Sequence, residues 1–262
     1  MKLSKLLTRI LGGTLWLLAV TLSLTSASAQ TSTAQPIKNV LLVHGAWADG
    51  SSWAKVIPRL TAAGLNVVAV QIPLTSLADD VAATERAIAL ANGPVLLVGH
   101  SYGGAVITEA GNDPKVVGLV FVSAFAPDTG ESSLSLATAN PTPGGAELRE
   151  SNGFFKLTTT GIFDDFAQDL SIIERTILSV TQVPTAGSAL GAPATSPAWR
   201  NKPTWFVVAA NDRTVSPQLE AMEAKRMNAT TITVSTSHVA MLAAPEKVSD
   251  FIRLAVDQLG DK

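Results

Sequence analysis

The chain of 262 residues has no cysteine, one tyrosine and three histidines, and only 15% of it is charged. Without cysteine there is no disulfide, no thiolate nucleophile and no Cys-ligated zinc or iron–sulfur site. Three histidines are too few for a His-rich metal site, so histidine chemistry rests on His44, His100 or His238. Lys plus Arg number 19 and Asp plus Glu 21, a net charge of -2, so there is no basic surplus for nucleic acid. What the chain does have is apolar content: 47% hydrophobic residues, too many for a disordered polymer.

No acidic residue precedes Asp49. Lys2, Lys5 and Arg9 open the chain, Ile10 to Leu24 is mostly apolar, and Ala27-Ser28-Ala29 follows. That order of basic start, apolar run and A-x-A site predicts a signal peptide over 1–29, cleaved after Ala29. The protein is then exported, to the periplasm or the medium. The apolar run is shorter than the ~20 residues that span a bilayer, so no stable membrane insertion is expected after cleavage. Residues 30–37 read as a flexible tail and 38–262 as one domain.

Within that domain, unbroken apolar runs alternate with helical patterns. Asn39–Val43, Val67–Val70, Pro94–Val98, Val116–Val122, Trp205–Val208 and Thr231–Val234 read as strands buried on both faces of a parallel sheet. Helices are expected over 52–63, kinked or split at Pro58, over 76–91, and from Pro245 to Leu259 with Gly260 at C′. This alternation predicts an α/β domain with a mostly parallel central sheet flanked by helices. About eighty residues between Ala124 and Thr204 interrupt it, with one strong helical pattern over 163–180. A long insertion of this kind, about 126–200, is expected to form a lid over one end of the sheet.

Gly99-His100-Ser101-Tyr102-Gly103 is a G-x-S-x-G motif lying between an apolar strand run and a helical one. Its glycines permit a sharp strand-to-helix turn that presents Ser101 as a nucleophile. A serine hydroxyl needs a base. His100 lies inside the turn with its side chain expected to point away, and His44 suits a structural role, which leaves His238 as general base. Asp212 follows the strand ending at Val208 and is the expected carboxylate partner; Asp128 is the rival acid. The order Ser101, Asp212, His238 is that of a hydrolase triad. The backbone N–H groups of Tyr102 and Ala46, the latter in His44-Gly45-Ala46-Trp47, are expected to form an oxyanion hole. Trp47 and Phe125, just past strand ends, are the expected substrate contacts.

These segments together resemble the α/β-hydrolase fold over roughly residues 38–260. The segment from His44-Gly45-Ala46-Trp47 to Trp53 is similar to that of the small esterases that include plant methylesterases and hydroxynitrile lyases. The resemblance implies the triad, the oxyanion hole, a lid after the sixth strand, and no metal or organic cofactor. Val239 stands where the lyases carry a lysine next to the catalytic histidine, which speaks against cyanohydrin cleavage. Haloalkane dehalogenases use an aspartate nucleophile, whereas this elbow carries Ser101.

The expected reaction is hydrolysis of a small-molecule carboxylic ester through an acyl-enzyme. An amide, lactone or C–C bond hydrolase, or a cofactor-free perhydrolase, uses the same groups. A ligand-binding protein on a hydrolase fold is the expectation of a different class.

Overall fold

The structure, a computed structural model, describes residues 37–260. The expected leader and residues 30–36 of the expected tail lie outside the described residues. Ile37, assigned to that tail, is instead buried in the core. Among the described residues, no helix is long and apolar enough to cross a membrane.

Six parallel strands form the main sheet: β1 Asn39–Val43, β2 Asn66–Val70, β3 Val95–His100, β4 Val116–Val122, β8 Thr204–Ala209 and β9 Thr230–Val234. Their order is β2-β1-β3-β4-β8-β9. All six expected strand runs are found, with ends moved by a residue or two. Alternate residues serve opposite faces. Leu41, Val43, Leu97 and Phe121 join one buried cluster, with helices α2 (Leu77–Leu90) and α3 (Gly103–Ala110). Val40, Leu42, Leu96 and Val120 join the other, with α1 (Ile57–Ala62) and the last helix, Pro245–Gly260. Burial on both faces is why β1, β3, β4 and β8 read as unbroken apolar runs rather than alternating ones; the edge strands β2 and β9, expected to be buried likewise, are instead largely exposed or half-buried.

The sheet order reverses at β1 and β3. Chain crossovers leave these two strands toward opposite faces, and a crevice opens at their carboxyl ends. Open α/β sheets bind ligands at such a switch point. His44-Gly45-Ala46 continues β1 and Ser101 continues β3, so the fold alone brings these segments together.

Three helix expectations are refined. Residues 52–63 are split: a 3-10 turn over Gly50–Trp53 precedes α1, and Pro58 sits in the first turn of α1, where its missing N–H costs nothing. The 163–180 pattern is not one helix. A wide turn over Ile162–Phe166 closes with Ala167 N–H bonded to the Ile162 carbonyl. The helix restarts only at Ile172, behind a capping box between Ser171 and Glu174. Gly260 lies within its helix and is not C′.

The inserted segment follows β4, the fourth strand of the main sheet in chain order, where the resemblance implied the sixth. The sixth strand here is β9, at the sheet edge. The segment also holds a small antiparallel sheet that the sequence reading missed: β5 Leu148–Ser151, β6 Phe154–Leu157 and β7 Thr185–Ala186. The missed signal was Asn152-Gly153. Both residues have positive φ (52° and 80°), the requirement of a two-residue hairpin turn.

Helix Pro217–Arg226 carries two glutamates, Glu220 and Glu223, into the interior. Burial pushes Glu223 from its ordinary 4.5 up to about 8, against the pull of Arg226, 3.6 Å away. Between these two pH values the folded protein holds a proton that the unfolded chain has released. Its stabilising effect is complete below pH 4.5 and is lost as pH rises through about 8. Glu223→Gln is neutral at every pH. It is expected to melt with wild type near pH 5 and about 5 °C higher at pH 8. Thermal melts across that range check this, and a Tm difference independent of pH would rule out a titrating Glu223.

Candidate active site

Ser101 stands at the turn from β3 to α3 with φ 53°, the left-handed region that non-glycine residues seldom occupy. The turn is held from β4: Ser101 N–H bonds the Val122 carbonyl, and Phe125 N–H bonds the Ser101 carbonyl. The motif glycines are needed for close approach. A Cβ on Gly99 would lie 2.6 Å from the Gly103 carbonyl oxygen, and one on Gly103 would lie 2.6 Å from the carbonyl oxygens of Val43 and His44. On Gly104 it would lie 2.2 Å from the Phe125 oxygen. The helix therefore starts pressed against the ends of β1 and β4, and Ser101 is left at the crevice.

Asp212 and His238 follow the neighbouring strands β8 and β9. His238 Nδ1–H donates to Asp212 Oδ2 at 2.6 Å, both side chains fully buried. The other oxygen, Asp212 Oδ1, accepts the N–H groups of Thr214 (2.7 Å) and Val215 (2.9 Å). With the proton on Nδ1, His238 Nε2 carries a free lone pair; it is buried and has no protein partner. The rival acid Asp128 lies elsewhere and is bonded to Arg200.

The other two histidines are structural. His44 donates to the Gly45 carbonyl and accepts the Ile72 N–H, and burial lowers its pKa. His100 Nε2–H donates to the His238 carbonyl at 3.0 Å, with ring centroids 4.6 Å apart. Burial, and then the proximity of His238, holds His100 well below the usual imidazole range, so it stays neutral. The elbow histidine thus supports the loop of the second histidine, a role that the motif did not reveal.

Two more supports were not legible. Glu220 Oε2 accepts the Ala209 N–H at 2.9 Å. Burial first, and then the Asp212 charge, raises the Glu220 carboxyl well above the usual range. Asp80, fully buried, accepts the phenol of Tyr102 on one oxygen and the Leu74 N–H on the other, each at 2.7 Å. Burial raises Asp80 to about 6. Phe166 packs against both His238 and Trp47, with ring centroids at 5.0 and 6.5 Å.

A cavity of about 430 Å³ opens over Ser101. Ala46, Trp47, Tyr102 and Phe125 line it, and the inserted segment supplies most of the rest; no charged side chain contributes. Both expected substrate contacts are on this wall, whereas Trp53 is buried in the core. The backbone N–H groups of Ala46 and Tyr102 have no protein acceptor among the described residues. No group of three His, Asp or Glu side chains among the described residues is placed to hold a metal ion.

Comparison with known proteins agrees with this architecture. Probable hydrolase R7 of a Phoma species is 26% identical over 81% of this chain and 96% of its own length. The carbendazim hydrolyzing esterase of a Nocardioides species is 34% identical over 37% of this chain and 46% of that protein. A pyrethroid hydrolase from Sphingobium faniae superposes with a TM-score of 0.73 at 18% identity, over 84% of this chain and 97% of that one. The sequence profile of the alpha/beta hydrolase family matches residues 40–251. Apart from Asn39, the six-stranded parallel sheet and the Ser101 turn lie inside that match, and the chain belongs to the alpha/beta hydrolase family.

Proposed function

We propose that this protein is a serine hydrolase that cleaves carboxylic esters with Ser101, His238 and Asp212. The carrying observation is the buried His238–Asp212 pair, with Nε2 unpaired, in a loop whose carbonyl is bonded from the elbow that presents Ser101. In the proposed reaction Ser101 Oγ attacks the ester carbonyl while His238 Nε2 takes its proton. The carbonyl oxygen becomes an oxyanion facing the N–H groups of Ala46 and Tyr102. His238 returns the proton to the departing alcohol, and an acyl-serine remains. Water, deprotonated by His238, releases the carboxylic acid and restores Ser101. No metal or organic cofactor enters these steps. The esterase name of the Nocardioides relative supports the ester over other acyl compounds. Segment 126–200 is the cap over the cavity in this reading.

Intact mass after treatment with a fluorophosphonate tests it. One adduct is expected on wild type, together with turnover of some p-nitrophenyl ester. No adduct and no turnover would favour a ligand-binding protein. We also propose export: the mature protein is expected to begin at Gln30 by N-terminal sequencing, and Met1 retained in a membrane fraction would overturn that.

A further inference from the structure

Two residues beside the elbow hold strained backbones. Trp47, directly after the Ala46 donor, has φ 59°, and so does the fully buried Leu74. A bulky side chain keeps this conformation only where its surroundings over-determine it. Both residues are hydrogen-bonded to the same two-residue strand of the inserted segment. Trp47 N–H donates to Thr185 Oγ1 at 3.1 Å, and Ala186 N–H donates to the Leu74 carbonyl at 2.9 Å. Leu74 N–H in turn holds Asp80, which holds the Tyr102 phenol. Thr185 is fully buried and its strand is fastened to β6.

We propose that Thr185–Ala186 aligns the oxyanion hole from the inserted segment, with Thr185 as a positioning residue for the Ala46 N–H and Asp80 as one for the Tyr102 N–H. Fixing the Ala46–Trp47 peptide fixes the direction in which the adjoining Ala46 N–H points. Anchoring the Tyr102 ring fixes the residue that supplies the second N–H. The inserted segment then does more than wall the cavity: it sets the geometry of the electrophile site. This inference rests on the serine-hydrolase reading above.

Thr185→Val keeps the shape and removes the acceptor. Its kcat is expected to fall about ten- to a hundredfold with KM within about twofold, because the oxyanion forms only after substrate binds. A trifluoromethyl ketone, which forms the same oxyanion on Ser101, is expected to bind more weakly by a similar factor. Thr185→Ser restores the acceptor and is expected to recover kcat to within about threefold of wild type. An unchanged kcat in Thr185→Val, a loss borne by KM, or a folded Thr185→Ser without recovery would each overturn the proposal. If Thr185→Val does not fold, Asp80→Asn decides: a kcat loss at constant KM supports the alignment, and wild-type kcat overturns it. Wild type that neither labels with a fluorophosphonate nor turns over ester would instead overturn the serine-hydrolase reading, so the two failures are distinct.

Discussion

Ser101→Ala is expected to lose about four to six powers of ten in kcat on any ester the wild type cleaves, and to give no fluorophosphonate adduct. The loss is large because the proposed acyl-enzyme forms on Ser101, the serine of the turn from β3 to α3, and the chain has no cysteine to replace it. The fold should survive. Ser101 Oγ makes no hydrogen bond among the described residues, and its backbone bonds to Val122 and Phe125 remain with alanine. Kinetics with a circular-dichroism melt of both proteins would check this. A variant keeping more than about a thousandth of the wild-type kcat would argue for another nucleophile.

Asp212→Asn is the second large effect, about a thousand- to ten-thousandfold in kcat with little change in KM. The Asp212 carboxylate accepts three hydrogens: two from backbone N–H groups on Oδ1 and one from His238 on Oδ2. An asparagine keeps its single carbonyl oxygen on the two N–H groups, and so turns its NH₂ toward His238 Nδ1. His238 must then accept at Nδ1 and carry its proton on Nε2, where the base is needed. The geometry survives and the tautomer is wrong. Steady-state kinetics at neutral pH test this, and a kcat within tenfold of wild type would remove Asp212 from the mechanism.

Much of this was legible before folding. Gly99, Ser101 and Gly103 stand at their spacing because a left-handed serine between two close backbone approaches tolerates nothing larger on either side. The strand runs of β1, β3, β4 and β8 are legible because burial on both faces leaves no polar alternation to confuse them. His238 followed by elimination from three histidines. The inserted segment was read poorly. The 163–180 pattern continues across Ala167–Ser171 in hydrophobicity, but the chain breaks there: Asp169 accepts the Ser237 N–H and Gln168 bonds the Asn211 carbonyl. Those tertiary bonds compete with the helix, and nothing local announces them. Nothing local marks Asp80, Glu220 and Glu223 as buried, and only the packed structure buries them.

Requirements of neighbouring residues on one another were therefore settled by the order of amino acids: the elbow, the strand runs and the absence of thiol chemistry. Contacts between distant residues were settled by folding. Trp47 and Thr185 are 138 positions apart, as are His100 and His238. Whether such pairs meet depends on how every intervening element packs, because a hydrogen bond acts over about 3 Å and leaves no local trace at either end.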